Sequence, residues 1–273
     1  MNVLAADVGG TSIRAALVSA AGEILTRRTA PTPPDPVEGL ATVARLWSQC
    51  GEGAGKAMVV AGGVRDSDGE ITESPNLRLW EGTRPGRELG CLVLNDANGA
   101  ALGELWRGAL RPFRHAIMLT LGTGVGGGIL IHRMLWTGAN GCAGEVGHVP
   151  FGDVTLETQA SATAVAALAG APDAATAAAA ARNGDEFALA AFAKAGRALG
   201  VALAGLVNVL NPEAICIGGG MSGAFDLLEP SMRAELDARA FRLALENLSV
   251  FPAALGGDAG LLGAAYLALE KRL

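Results

Sequence analysis

The sequence has few cysteines, and they lie far apart. Its four, Cys50, Cys91, Cys142 and Cys216, form no C-x-x-C pair and none has a neighbouring histidine. This spacing excludes a disulfide framework and gives no sign of a cysteine nucleophile. We expect small, buried apolar side chains in a reducing cytoplasm.

Several other signals are also missing. The 21 basic and 27 acidic residues give a net charge of -6, and no Lys/Arg cluster stands out, so nucleic acid is not an expected partner. No basic leader precedes the first apolar strand, which argues against export. The longest apolar segment, 200–212, is shorter than the roughly 20 residues of a membrane span, so we predict a buried helix and no membrane contact. The Walker pattern G-x-x-x-x-G-K-[ST] is absent, which excludes a P-loop enzyme.

Strand and helix patterns alternate through the chain. Residues 2–8, 12–19 and 23–30 predict a meander of three strands, and residues 115–122 and 125–132 repeat its strand, turn and strand. Asp35 is placed to cap a helix, and 157–210 is nearly all helical. The pattern predicts an α/β fold with largely parallel, buried strands and two related domains.

The first glycine loop, DVGGT at 7–11, follows the first strand directly. Successive N–H groups and a threonine hydroxyl form a nest for phosphate oxygens. A carboxylate beside a polyphosphate needs a cation between the two, so we assign Asp7 to Mg²⁺, directly or through water. The alternative is an ordinary hairpin turn with a surface aspartate.

Two more loops contain the G-x-G-x-x-G pattern. At 122–127 a strand follows the glycines where the dinucleotide fingerprint needs a helix, so a phosphate-binding hairpin with Gly122 and Thr123 fits better. At 218–223 a strand precedes and a helix follows, but no acidic ribose ligand comes after it. We assign this loop to the adenosine of a nucleotide, and a nicotinamide enzyme is the alternative.

Polar residues end a further apolar strand at Asn95-Asp96. A carboxylate there can accept a proton from a substrate hydroxyl, and the neighbouring amide can bind another hydroxyl. Asp96 can equally be the N-cap of the next helix. Farther along, Glu145, His148 and Glu157 leave three uses open: metal binding, acid-base chemistry or binding of a polar ligand.

These motifs in this order resemble the ROK family of sugar kinases and sugar-responsive repressors. The resemblance covers nearly the whole chain and rests on DVGGT at 7–11, PNL at 75–77, NDANGAALGE at 95–104, LGTGVGGG at 121–128, GANGCAGEVGH at 138–148 and NPEAICIGGG at 211–220. It implies two actin-like, ribonuclease-H-like domains with a nucleotide and sugar cleft between them. We place the domains at 1–111 with a closing helix at about 258–273, and at 112–257.

The resemblance also implies residue roles. Asp96 would be the catalytic base, and Asp7 and Gly9 belong to the first phosphate loop. The other implied ligand contacts are Asn76, Asn95, Glu145, His148 and Glu157 for the sugar, Gly10, Thr11, Gly122 and Thr123 for phosphates, and Gly219 and Gly220 for adenosine. In-line phosphoryl transfer needs mainly positioning and charge neutralisation.

Two departures from the family pattern matter. The DVGGT strand begins at residue 2, which leaves no room for the winged helix of a repressor. Many relatives bind zinc through the histidine and a cysteine-rich segment, but only VPFGDVTL lies between His148 and Glu157 here, so we expect no zinc. This leaves open what orients His148, and Asp153 and a backbone carbonyl are the two candidates for its second partner.

We therefore expect an ATP- and Mg²⁺-dependent hexose kinase acting on the 6-hydroxyl of glucose. Mannose, fructose and N-acetylhexosamines are alternative substrates. A non-catalytic sugar-binding regulator, or a phosphotransferase for a non-sugar acceptor, is the alternative function. Relatives are often dimers or tetramers, and we expect a homodimer.

Overall fold

The computed structural model describes residues 1–270. The first part of the chain forms β1 (Asn2–Val8), β2 (Ser12–Ser19), β3 (Ile24–Pro31), α1 (Pro36–Cys50), β4 (Lys56–Val60), α2 (Pro85–Leu89), β5 (Leu92–Asn95) and α3 (Asp96–Arg107). The remainder forms β6 (Ala116–Leu121), β7 (Val125–Ile131), β8 (Met134–Trp136), β9 (Pro150–Phe151), β10 (Val154–Thr155), α4 (Glu157–Ala160), α5 (Ala162–Ala169), α6 (Ala174–Arg182), α7 (Glu186–Leu210), β11 (Ala214–Gly218), α8 (Phe225–Arg239), α9 (Arg242–Leu245), β12 (Ser249–Pro252) and α10 (Ala259–Glu270).

The chain divides into two compact units. The first contains residues 1–111, 134–144 and the described residues from Gly257 onward, and the second contains residues 112–133 and 145–256. The predicted boundaries placed 134–144 in the second domain. Compactness alone does not define a domain, so the predicted boundaries stay a prediction. Residues 271–273 of the predicted closing helix lie outside the described residues.

A five-stranded sheet of order β3-β2-β1-β4-β5 forms the centre of the first unit. The predicted meander of β1, β2 and β3 is confirmed, and β1, β4 and β5 run parallel. Side chains alternate between the faces of a strand. Ala6 and Val8 therefore pack with α1, whereas Asp7 lies on the face covered by α10. The start of α1 is capped by Asp35, as the sequence predicts.

The second unit has a sheet of order β12-β11-β6-β7. Strands β12, β11 and β6 are parallel, and β7 returns antiparallel to β6 as a hairpin. The core lies between this sheet and the helices, where Phe192 and Leu199 of α7 belong to one buried cluster with Ile215 and Ile217 of β11. The mixed α/β architecture predicted from the alternating pattern is confirmed.

The predicted buried helix at 200–212 is part of a longer element. Helix α7 has 25 residues and is long and apolar enough to span a membrane, so the length argument was wrong. The prediction of burial is supported, because 56% of the most apolar 18-residue stretch of α7 is buried inside the protein. Helices in the cores of globular proteins have the same properties. Helix α7 ends at Leu210, because its cap Asn211 has a left-handed φ of 45°.

The structure adds one local element and corrects one prediction. VPFGDVTL contains a small hairpin in which Val154 pairs with Phe151, which the sequence did not predict because strands of two residues carry no readable alternation. No disulfide joins the four cysteines, all of which lie within residues 1–270. The prediction that they are buried holds for Cys50 and Cys216 but is wrong for Cys142, which is exposed. Cys142 lies in a loop, where a small apolar side chain has no core to join.

Candidate active site

The predicted site residues of the first unit meet at one edge of its sheet. Parallel pairing puts Val8 of β1 beside Val60 of β4, and Val60 beside Asn95 of β5. The carboxyl ends of parallel strands share an edge, which is where ligands bind in many α/β folds. The DVGGT turn, residues 61–63 and the start of α3 therefore lie next to one another.

Backbone contacts hold the DVGGT turn in shape. The Gly9 N–H donates to Ser12 O at 3.0 Å, and the Thr32 hydroxyl donates to Gly9 O at 2.7 Å. Gly10 lies against Asn76, and a Cβ at position 10 would be 2.9 Å from the Asn76 Cβ. The phosphate-loop residue and the predicted sugar residue are thus neighbours, and only glycine allows this approach.

Asp7 has a partner that sequence reasoning missed. Asp7 is buried, with 8% of the residue exposed, and its carboxylate accepts a hydrogen bond from the Arg14 guanidinium at 2.5 Å. Burial raises the pKa of Asp7, while the charge and hydrogen bond of Arg14 pull that pKa down. Register was the signal that could have shown this pair, because Asp7 and Arg14 face each other across β1 and β2.

Asp7 is the carboxylate assigned to a magnesium ion at this edge, since Asp96 is the predicted base. Among residues 1–270, no three His, Cys, Asp or Glu side chains are grouped to hold a metal. Mg²⁺ usually takes only one or two carboxylates and completes its shell with substrate phosphates and water, so Asp7 alone fits such a role. The expected absence of zinc stays a prediction.

The helix cap is Asn95, whereas Asp96 was the predicted alternative cap. Asn95 Oδ1 accepts from Ala97 N at 2.9 Å and Asn98 N at 3.0 Å, and its Nδ2 donates to Gly62 O at 3.0 Å. Because Asn95 caps α3, Asp96 becomes the first helical residue, partly buried at a helix N-terminus. Helix N-termini stabilise a negative charge. The Gly62 carbonyl thus holds the Asn95 side chain from the turn that follows β4.

In the second unit, the β6–β7 turn carries Gly122 and Thr123. The turn closes with a bond from Gly122 N to Gly124 O at 2.9 Å. Backbone N–H of Ala162 donates to Gly122 O at 2.8 Å, and the Thr163 hydroxyl donates to Thr123 O at 3.0 Å. The start of α5 therefore braces this turn.

The third glycine loop lies beside that turn. Gly218 of β11 pairs with Thr120 of β6 in parallel register, so both strands end at the same edge. Gly219 has φ of 80°, and a Cβ there would come within 2.4 Å of Leu121 O. Gly220 has open space around it. The predicted phosphate and adenosine loops are thus adjacent.

Glu145, His148 and Glu157 lie on two short elements of the second unit. Glu145 precedes a single 3-10 turn, Val146–His148, and His148 N donates to Glu145 O at 3.2 Å. Glu157 opens α4 and accepts from Val125 N at 2.9 Å. The His148 imidazole is exposed and makes no hydrogen bond within the described residues. Asp153 and a backbone carbonyl were the two candidates from the sequence, and neither bonds the imidazole there.

With this geometry in place, comparison with known proteins decides the family. A sequence model of the ROK family matches residues 3–271.

The chain belongs to the ROK family.

A glucokinase from Thermotoga maritima is 33% identical, covering 99% of this chain and 98% of that protein. An N-acetylmannosamine kinase from Escherichia coli is 31% identical over the full length of both. Among solved structures, a ROK family glucokinase from Streptomyces griseus in complex with glucose and AMPPNP has a TM-score of 0.85 and 29% identity, covering 99% of this chain and 100% of that one. The resemblance found in the motifs is therefore confirmed, as is the fold class.

Proposed function

We propose that this ROK chain is an ATP-dependent sugar kinase that phosphorylates the 6-hydroxyl of glucose, with Asp96 as the general base. The observation that carries the proposal is the meeting of Asp96, the DVGGT turn and Asn76 at one sheet edge. The kinase relatives support the reaction class. The two compact units would correspond to the two domains of the family.

The chemistry needs a base, a positioned hydroxyl and a neutralised polyphosphate. Asp96 accepts the proton of the sugar hydroxyl as its oxygen attacks the γ-phosphorus, and the bond to the β-phosphate oxygen breaks to release ADP. The start of α3 suits this role, because a helix N-terminus favours a negatively charged side chain. Asn95, held by Gly62, fixes the backbone from which Asp96 projects.

The three glycine loops would share the nucleotide. Gly10, Thr11, Gly122 and Thr123 would hold phosphate oxygens: Thr11 and Thr123 are exposed, and the Gly122 N–H closes the turn that presents Thr123. Gly219 and Gly220 would border the adenosine. Asp7 would hold Mg²⁺, which neutralises phosphate charge when it is bound.

Asn76, Asn95, Glu145, His148 and Glu157 would bind the sugar hydroxyls. Sites built to bond hydroxyls discriminate strongly between sugars. Glucose is the first candidate. N-acetylmannosamine is the second candidate, because an N-acetylmannosamine kinase is similar to this chain over its full length. Mannose and fructose follow. The proposal also includes a cytoplasmic location and a homodimer. It includes no nucleic-acid partner, no membrane contact and no zinc.

The direct test is ADP release, measured with ATP against a panel of hexoses and N-acetylhexosamines, with and without Mg²⁺. Asp96→Asn should lower kcat by about 10²–10⁴, the usual loss for a general base, and leave sugar affinity nearly unchanged. Asp153→Asn is a matched control, since Asp153 lies on an exposed turn. A fully active Asp96→Asn enzyme would disprove the assigned base, and sugar binding without ADP release would favour the non-catalytic regulator.

A further inference from the structure

One short segment holds the phosphate hairpin of the second unit from both sides. The hairpin carbonyls of Gly122 and Thr123 accept bonds from Ala162 and Thr163. On the return strand, Val125 N donates to Glu157 Oε2 at 2.9 Å. Residues 157–163 thus contact the turn at both ends, although they lie more than thirty positions further along the chain than the turn and belong to other elements.

Glu157 also packs against the turn itself. A Cβ at Gly124 would lie 2.3 Å from Glu157 Oε2 and 3.7 Å from its Oε1. Oε2 therefore faces the glycine and the hairpin backbone, and Oε1 is the oxygen farther from the turn. Within residues 1–270, no group donates a hydrogen bond to Oε1, and the side chain is only partly buried.

We infer that Glu157 serves both ligands: Oε2 positions the phosphate hairpin through Val125 N, and Oε1 accepts a sugar hydroxyl. This inference rests on the proposed function, which assigns the sugar to Glu157 and phosphates to Gly122 and Thr123. Glu157 is thus a positioning residue for the nucleotide in addition to a sugar contact.

The consequence is coupling between the two ligands. A hydroxyl donating to Oε1 fixes the carboxylate, and a fixed carboxylate holds the Val125 amide and the turn in one conformation. The ordering of the turn is then completed before the nucleotide binds, so each ligand strengthens binding of the other by the same factor. A residue that only binds sugar gives no such effect.

Calorimetric titration with Mg²⁺-ADP in the absence of sugar tests the first half of the inference. Glu157→Ala should weaken ADP binding by about fivefold or more, the lower end of couplings between sites. Glu157→Gln retains an oxygen that can accept from Val125 N, so its ADP affinity should stay close to that of the unaltered enzyme while its glucose affinity falls.

Two matched variants separate the roles. His148→Ala removes a proposed sugar contact that has no bond to the hairpin, so it should lower glucose affinity only. Thr163→Val removes a hairpin bond without touching the proposed sugar site, so it should lower ADP affinity. In the unaltered enzyme, saturating glucose should tighten ADP binding, and Glu157→Ala should abolish this gain.

Amide hydrogen exchange of the free protein supplies a readout that needs no ligand. The Val125 N–H should exchange faster in Glu157→Ala than in the unaltered chain, and Glu157→Gln should restore its protection. Unchanged Val125 exchange, or unchanged ADP affinity in Glu157→Ala, would overturn the inference. If the unaltered protein phosphorylates no sugar, the proposed function fails instead, and the exchange result still reports on the hairpin bond.

Discussion

Arg14 should be needed for the stability of the first unit, because it is the cation beside a buried carboxylate. Its guanidinium bonds Asp7 and also donates to Gly257 O at 2.5 Å, just before α10. Arg14→Met removes the charge and both bonds but keeps an apolar stem of similar length. The variant leaves Asp7 on the face covered by α10 without this partner.

The size of the effect follows from burial. Removing one member of a fully buried ion pair costs about 3–5 kcal/mol, because an uncompensated charge remains. Arg14 is 33% exposed and Asp7 11% exposed by side chain, and solvent weakens an exposed pair. We therefore expect a loss of about 2–3 kcal/mol in the free energy of unfolding at neutral pH.

The effect should depend on pH in a defined direction. The pKa of Asp7 is raised in the folded state, so its contribution favours folding most below the unfolded pKa and is lost as pH rises through the folded pKa. Without Arg14 the folded pKa rises further. The stability difference between Arg14→Met and the unaltered chain should thus widen as pH rises and shrink in acid.

Urea unfolding of Arg14→Met, Asp7→Asn and the double variant, each at acid and neutral pH, measures these quantities. The double variant should lose less than the sum of the single losses, by about 1 kcal/mol or more, because the single Arg14→Met leaves a charge that the double variant does not. Additive losses, or an Arg14→Met protein as stable as the unaltered chain at neutral pH, would refute this account of Asp7.

Three further outcomes are expected. Gly219→Ala should destabilise the protein by about 1–3 kcal/mol in urea unfolding, because the new Cβ meets Leu121 O and the positive φ disfavours alanine; wild-type stability would contradict this. Two backbone N–H donors lower the pKa of Glu213, so its contribution to stability is lost as pH falls through that pKa. Glu213→Gln should therefore lose less stability in acid than the unaltered chain, and identical acid denaturation curves would exclude the effect. Burial raises the pKa of Cys91 to about 12, so iodoacetamide at pH 8 should label the exposed Cys142 before Cys91 in peptide mapping, and the reverse order would count against a buried thiol.

Local chemistry in the sequence determined most elements and the identity of the loops. Short apolar segments bounded by turn residues located the β1–β3 meander and strands β5, β6, β7 and β11, because strands buried in a sheet impose such patterns. Glycines at strand ends marked the three loops. Asp35 was identified as a cap from its position alone.

Tertiary structure decided which side chains those loops contact. Asp7 meets Arg14 across two strands, Gly10 meets Asn76, and Glu157 meets Val125 although 32 positions separate them. Such contacts depend on register and on packing between distant segments, which no local pattern encodes. The sequence by itself therefore determined the fold class and the candidate residues, whereas the partners that orient Asp7, Asn95 and Glu157 were set only when the chain folded.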